Sequence, residues 1–343
     1  MRVLIVKPSS FGDVLHTFPA VALIRSAAPE VTRITWIVND SFVDVVTLCP
    51  GIDRIVPFPR REIRKLSAIR SFLHDLRQED YDLAIDYQGL LRSGLMVKAS
   101  RAKEKVGFAH AREGSPFFYT RKLVLDNLQA HAVEKNLELT RFALNIPSET
   151  PVPTPRFQFD DKGREEAERL LPANGNPILA VCFSSRWESK NWSPSFIAET
   201  LDMVAKAMPD LDIFLLGAAN DWPVGEQIRN GTHVAKPQNL AGKTSFHALT
   251  ALLSRSTAMF TVDSGPMHLA AALGIPCIAM FGATNPNLTG PYGPTGFHTI
   301  LDTTCTQAPC MKRECPLSQN CSEGFSPQIA ATAITDRIRR NHL

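Results

Sequence analysis

Short runs of aliphatic and β-branched residues, each followed by a stretch with helical spacing, fill the first 140 positions. RVLIV (2–6), RITWIVN (33–39), DRIVPF (53–58), DLAIDY (82–87) and EKVGF (104–108) read as buried strands. Strands of this kind, alternating with helices, mean a parallel sheet covered by helices. The rhythm lapses at NIPSETPVPTPRF (145–157), where prolines accumulate, and restarts with PILAVCF, DIFLLG, AMFTVD and CIAMFG. The expected fold is therefore α/β, with two doubly wound, Rossmann-like domains in tandem. Residues 1–150 form the first domain and 151–325 the second, and a last helix in 326–343 is expected to pack back on the first. A chain of 343 residues, 44% of them hydrophobic, is long enough for two such cores.

The remaining composition narrows the class of function. A net charge of +3 argues against a general nucleic-acid binder, so any basic patch is local. No apolar run approaches the roughly 20 residues of a membrane span, and MRVLIVKPSS is too short and strand-like for a secretory signal, so the cytoplasm is the expected compartment. Cysteines are then expected to be reduced. Four of the seven, Cys305, Cys310, Cys315 and Cys321, fall in one segment without the closely spaced pair usual in zinc sites. That segment reads as a thiol-rich, proline-bent surface stretch, with metal binding as the alternative.

In doubly wound sheets ligands bind beyond the carboxyl ends of the strands. Facing domains would gather these loops around one interdomain cleft. After RVLIV come Ser9, Ser10 and Gly12, with Asp13 on the first turn of a helix, where a carboxylate is either a cap or an ionised base poised at the rim. After AMFTV come Asp263, Ser264, Gly265 and Pro266, with His268 in the first helical turn; free amides beside a glycine suit a phosphate or pyrophosphate. Between them, CFSSRWESK supplies Ser184, Ser185, Arg186 and Lys190, groups suited to phosphate oxygens. Neither a Walker A loop nor G-x-G-x-x-G follows the first strand, which weakens ATP-hydrolysis and nicotinamide readings. The triplets DYD (80–82) and DLD (210–212) precede strands, at the wrong end of the sheet for a metal-bound nucleotide sugar, and read as turns. Arg60, Arg61, Arg64, Lys65 and Arg70, with Arg121 and Lys122 later, form a solvated basic face or a clamp for a polyanion.

Together these segments resemble the bacterial glycosyltransferase family 9 heptosyltransferases. The resemblance is carried by VLIVKPSSFGDVLHTFPA, YDLAIDYQGLLRSGL, HAVEKNLEL, NLAGKTSFHALTALL and VDSGPMHLAAALGIPCIAMFGATNP. The basic cluster is most similar to the branch that adds the first L-glycero-D-manno-heptose to the Kdo sugar of Kdo2-lipid A. APCMKRECPLSQNC instead looks like other branches, which leaves the heptose position open. The resemblance implies a GT-B architecture, ADP-heptose as donor, no required cofactor or metal, and inversion by single displacement with Asp13 as general base. It carries Ser184, Ser185, Lys190, Asp263, Ser264, Gly265 and His268 to the donor side, with Asp221 or Glu226 facing the ribose. It carries Lys7, Ser10, Gly12, Arg60, Arg61, Arg64, Lys65, Gln88 and Arg121 to the acceptor side. A lipid acceptor further implies peripheral visits to the inner leaflet of the cytoplasmic membrane and no nucleic-acid partner. The rivals are a family 9 transferase with a later heptose position or another nucleotide sugar, a GT-B-like sugar-nucleotide epimerase, and a non-catalytic sugar-nucleotide-binding module.

Overall fold

The computed structural model describes residues 1–155, 157–315, 317, 321 and 325–341, and the chain divides into two compact units, Met1–Gln158 and Phe159–Leu343. The first unit holds strands β1 (Arg2–Val6), β2 (Arg33–Asn39), β3 (Arg54–Phe58), β4 (Leu83–Asp86), β5 (Glu104–Phe108) and β6 (Arg121–Leu123). They form one parallel sheet in the order β3-β2-β1-β4-β5-β6. The second unit holds β7 (Ile178–Cys182), β8 (Asp212–Leu216), β9 (Gln238–Asn239), β10 (Ala258–Val262), β11 (Cys277–Phe281) and β12 (Thr299–Asp302). Its parallel sheet runs β12-β11-β10-β7-β8-β9, the same winding read from the opposite edge.

The strands legible in the sequence are those buried on both faces: Val3–Val6 of β1 and all of β7, β10 and β11 are buried. Edge strands β6, β9 and β12 escaped the sequence reading because they are two to four residues long and paired on one side only. In each sheet the chain reverses its direction of winding once, between β1 and β4 and between β7 and β10. In doubly wound sheets the loops leaving such neighbouring strands turn to opposite faces and leave a crevice at their carboxyl ends.

Two expected boundaries are corrected. Phe157 stacks on Phe18 with ring centres 5.6 Å apart, and the amide of Gln158 donates to Leu48, so the proline-rich connection ends on the first unit, eight residues beyond 150. The terminal helix Pro327–Asn341 packs on the helix Pro194–Ala207 and on β10 and β11 of the second unit. Ala330, Ala331, Ile334 and Ile338 enter that unit's core, which is where its apolar stripe is buried.

Candidate active site

At the first switch point β1 delivers Lys7, which is 6% exposed, beneath the following loop. Its ammonium donates to the carbonyl of Tyr87 at 3.0 Å and lies 3.7 Å from Asp13 Oδ1. Ser10 caps the short helix Phe11–Leu15, so Gly12 is a helical residue rather than part of the turn, and Asp13 is the third. The Asp13 carboxylate reaches back: Oδ2 accepts the Ser10 amide at 3.0 Å and the Ser10 hydroxyl at 2.6 Å. Burial pushes its pKa up, but the Lys7 charge and the two Ser10 hydrogen bonds outweigh that and hold it well below the usual carboxylate range. Asp13 therefore has a structural job, yet its side chain keeps 38% exposure, with Oδ1 facing Lys7 beyond hydrogen-bond distance.

The partner loop after β4 is set by Asp86, a residue the sequence reading passed over. Its fully buried carboxylate accepts the amides of Gln88 and Gly89 at 2.9 and 3.1 Å and the Tyr119 hydroxyl at 2.7 Å. Burial pushes the Asp86 pKa up despite these donors. Gln88 in turn accepts the Ser9 amide at 3.2 Å, which ties the β4 loop to the β1 loop. HAVEKNLEL has a matching role: His131 caps the helix Ala132–Leu144, and Asn136 donates to the carbonyl of His16 just behind Asp13.

At the second switch point Asp263, 5% exposed, gathers Lys190, Thr284 and His268. Its Oδ2 pairs with Lys190 Nζ at 2.6 Å and accepts the Thr284 hydroxyl at 2.5 Å, and its Oδ1 lies 3.9 Å from His268 Nε2. Ser264, not Asp263, caps the helix Gly265–Ala272, which frees Asp263 for this pairing. Lys190 also lies over the Trp187 ring at 4.5 Å. Thr284, from the loop after β11, was not recognised in the sequence, because nothing local marks a threonine as reaching a carboxylate two loops away.

The loop of Ser184, Ser185 and Lys190 is braced from two sides. Asn191 accepts the Ser185 amide at 2.6 Å, and Ser189 bonds through its amide to Arg313 and through its hydroxyl to Lys312. The cysteine-rich segment thus buttresses this loop while most of its residues from 305 to 315 stay exposed, as expected of a surface stretch. Cys305, Cys310, Cys315 and Cys321 line one small hollow with Ser189 and Gly282, and burial, with the neighbouring thiols, raises the Cys321 pKa. Among the described residues no three His, Cys, Asp or Glu side chains converge as metal ligands.

Asp221 follows β8 and accepts the Ala218 amide at 2.7 Å, near enough to the end of β7 for its charge to contribute to raising the Cys182 pKa, which burial raises most. Glu226 is a turn further on, occupied by Arg229 at 2.7 Å and Asn239 at 3.0 Å. Gly242 closes this corner: its φ is +70°, and a Cβ there would stand 2.5 Å from Ala219 Cα.

The basic residues separate into two groups. Arg60, Arg61, Arg64 and Lys65 are exposed beyond the carboxyl end of β3; Lys65 pairs with Glu62 at 2.5 Å. Arg92 joins them: burial depresses its pKa and the nearby Arg60 charge depresses it further. Arg121 does not join them. As the first residue of β6 it lies at the amino end, where its guanidinium pairs with Glu104 at 2.5 Å, donates to the Phe142 carbonyl at 2.7 Å and covers the Phe142 ring. It anchors the edge strand to the end of helix Ala132–Leu144. Arg121→Ala is expected to cost about 1–3 kcal/mol of stability in denaturant titration and to leave acceptor kinetics unchanged. The D-x-D triplets sit at amino ends as expected, with Asp82 holding Lys103 and the Arg2 amide.

Comparison with known proteins bears on the family and the fold. The family model "Glycosyltransferase family 9 (heptosyltransferase)" matches residues 69–320. Lipopolysaccharide heptosyltransferase 1 of Pseudomonas aeruginosa is 32% identical over 328 residues, covering 92% of this chain and 87% of that protein. The enzyme of the same name from Escherichia coli K12 is 29% identical, covering 85% and 91%. The solved structure of E. coli heptosyltransferase WaaC with ADP superposes with a TM-score of 0.79 at 26% identity, covering 98% of this chain and all of that one. With two six-stranded parallel sheets and these relatives, the chain has the GT-B architecture and belongs to glycosyltransferase family 9, the heptosyltransferases.

Proposed function

We propose that this glycosyltransferase moves L-glycero-D-manno-heptose from ADP-heptose to the Kdo region of Kdo2-lipid A, or a closely related lipopolysaccharide precursor, at the inner face of the cytoplasmic membrane. The observation that carries this reading is the Asp13 carboxylate: ionised, hydrogen-bonded to Ser10 through one oxygen and facing the Lys7 ammonium at 3.7 Å through the other, at the switch point of the first sheet. In the reaction the acceptor hydroxyl gives its proton to Asp13 Oδ1 and its oxygen attacks the anomeric carbon. The bond from that carbon to the phosphate oxygen breaks, and ADP leaves with the electron pair. A single displacement of this kind inverts the anomeric centre. Asp13 is a weak base, so proton transfer accompanies departure of ADP, when the sugar carries oxocarbenium character that the carboxylate also stabilises.

On the donor side, Lys190, Ser184, Ser185 and the amides at Ser264–Gly265 offer cation, hydroxyl and N–H groups to a diphosphate. Asp263 and His268 hold that set together. Asp221 is the better candidate for the ribose, because Glu226 is occupied by Arg229 and Asn239. On the acceptor side Lys7, Ser10, Gly12 and Gln88 shape the rim, and Arg60, Arg61, Arg64 and Lys65 meet phosphate or carboxylate groups. First-heptose transfer is favoured over a later position by this arginine-rich segment and by the relatives' names.

Incubation with ADP-heptose and Kdo2-lipid A, followed by mass analysis, tests the reading. One heptose added is expected; addition only to an acceptor that already bears heptose would move the enzyme to a later step. For the basic segment, the acceptor KM of Arg60→Ala/Arg61→Ala should rise about 5- to 50-fold and lose most of its salt dependence, with ADP affinity unchanged. An unchanged acceptor KM would return these residues to a solvated face.

A further inference from the structure

The first unit exposes an apolar surface that the chemistry above does not use. Leu66 is 74% exposed and Phe117 89%, and Ile63, Leu91 and Leu95 are each exposed by two-fifths or more. These side chains are scattered in sequence and gathered by the fold. Helices Leu66–Leu76 and Leu91–Ala99 pack their inner faces into one core cluster, through Phe72 and Leu76 of one and Met96 and Val97 of the other. Both helices therefore cover the same face of the sheet, with their outer faces turned away from it. Both helices begin beyond the carboxyl ends of their strands, β3 and β4, so Leu66 and Leu91 stand at the same rim as the acceptor-side groups. Leu91, Leu95 and Lys98 follow at helical spacing along one exposed stripe. The short turn Ser115–Phe118 packs against that helix: Phe118 lies against Gly94 and beneath Lys98, and this presents Phe117 outward beside the stripe.

Cations border the apolar residues on both sides. Arg60, Arg61, Arg64 and Lys65 flank Ile63 and Leu66, and Arg92 and Lys98 flank Leu91 and Leu95. Glu62 and Glu113 are the acidic residues within this stretch, and both are engaged, with Lys65 and with the Leu91 amide. A surface that mixes exposed leucine and phenylalanine with uncompensated arginine suits a layer that is anionic at its face and apolar just beneath.

We propose that this face, centred on Leu66, Leu95 and Phe117, is where the protein docks on an anionic lipid bilayer. The apolar side chains enter the headgroup boundary while the surrounding cations stay at phosphate level. The proposal deepens the function above, on which it rests for its biological setting, and supplies the orientation: the acceptor rim is turned toward the membrane that holds the acceptor lipid. Docking through charge and a few side chains is reversible, in keeping with the lack of any described helix long and apolar enough to span a membrane.

The test is co-sedimentation of the full chain with vesicles of phosphatidylcholine, alone or with a minority of phosphatidylglycerol. Wild type should partition onto the anionic vesicles, less so as salt is raised, and hardly onto the neutral ones. Leu66→Ser/Phe117→Ser should partition about tenfold or more weakly, the cost of withdrawing two apolar anchors, while its melting temperature and ADP affinity match wild type. Equal partitioning of variant and wild type would overturn the proposal, as would no preference of wild type for anionic vesicles. Light scattering that reveals a wild-type dimer split by the same variant would overturn it too, by assigning the face to a second copy. Transfer to a soluble, deacylated Kdo acceptor separates the two readings. A variant impaired only on vesicle-borne acceptor supports docking, whereas no transfer by wild type to any Kdo acceptor sinks the proposed function and leaves the vesicle result to decide the face.

Discussion

Asp13→Asn should lower kcat by roughly 10²–10⁴-fold while the Michaelis constants for donor and acceptor stay near wild type. The amide retains an oxygen to accept from the Ser10 amide and hydroxyl, so the helix start survives, but it cannot take the acceptor's proton. It also leaves Lys7, nearly buried, without its counter-charge. Part of that loss is absorbed by the Tyr87 carbonyl, which Lys7 already contacts. A stability cost of about 1–2 kcal/mol is therefore expected beside the catalytic one, and kcat must be compared where both proteins are folded. The pH dependence has a definite sign. Because the folded-state pKa lies below that of the unfolded chain, the carboxylate's contribution to stability is complete above about pH 4 and fades only as the pH falls further. An acidic limb in kcat between about pH 5 and 8 would then belong to another group. Near-normal turnover of Asp13→Asn would end the general-base assignment.

Lys190→Ala is expected to weaken ADP and ADP-heptose binding by about 10- to 150-fold, the worth of about 1.5–3 kcal/mol for a charged hydrogen bond. The same substitution strands Asp263, whose side chain is 7% exposed and loses its 2.6 Å partner, so stability should fall by about 3–5 kcal/mol as well. A double variant separates the two effects. Lys190→Met/Asp263→Asn removes the stranded charge and should recover most of the stability in denaturant titration, yet calorimetry should still find ADP binding weak. If the double variant binds ADP as wild type does, Lys190 only neutralises Asp263 and contacts no phosphate.

These two residues mark how far the sequence could be read. β1 and β10 are short runs dominated by apolar residues, so their ends, and hence the positions of Asp13 and Asp263, are legible in the sequence. Their partners were only half legible. Asp13 and Ser10 are three residues apart and bond through local helix geometry, which sequence anticipates. Asp263 meets Lys190 and Thr284 from separate crossovers, and only the folded sheet brings those together. Asp86 was overlooked because a carboxylate ending a strand looks like any turn residue until Gln88, Gly89 and Tyr119 are seen around it. Arg121 shows the reverse, held by Glu104 and the Phe142 carbonyl. A pair of basic residues carries no mark of which end of the sheet it will occupy, and the three-residue edge strand that decides this is too short and too polar to detect.

The two sheets share one winding, and each has its own reversal point, so under the function proposed above the groups that meet the leaving nucleotide and those that meet the incoming hydroxyl are inherited as separate stretches of gene. Changes in the crossovers after β3 and β4 can explore new glycan ends while the Asp263 cluster, encoded more than 150 codons later, is left untouched. Diversification within such a lineage is expected to concentrate in the first half of the chain, and an exchange of halves near residue 158 is the recombination event most able to yield a working enzyme with a new acceptor.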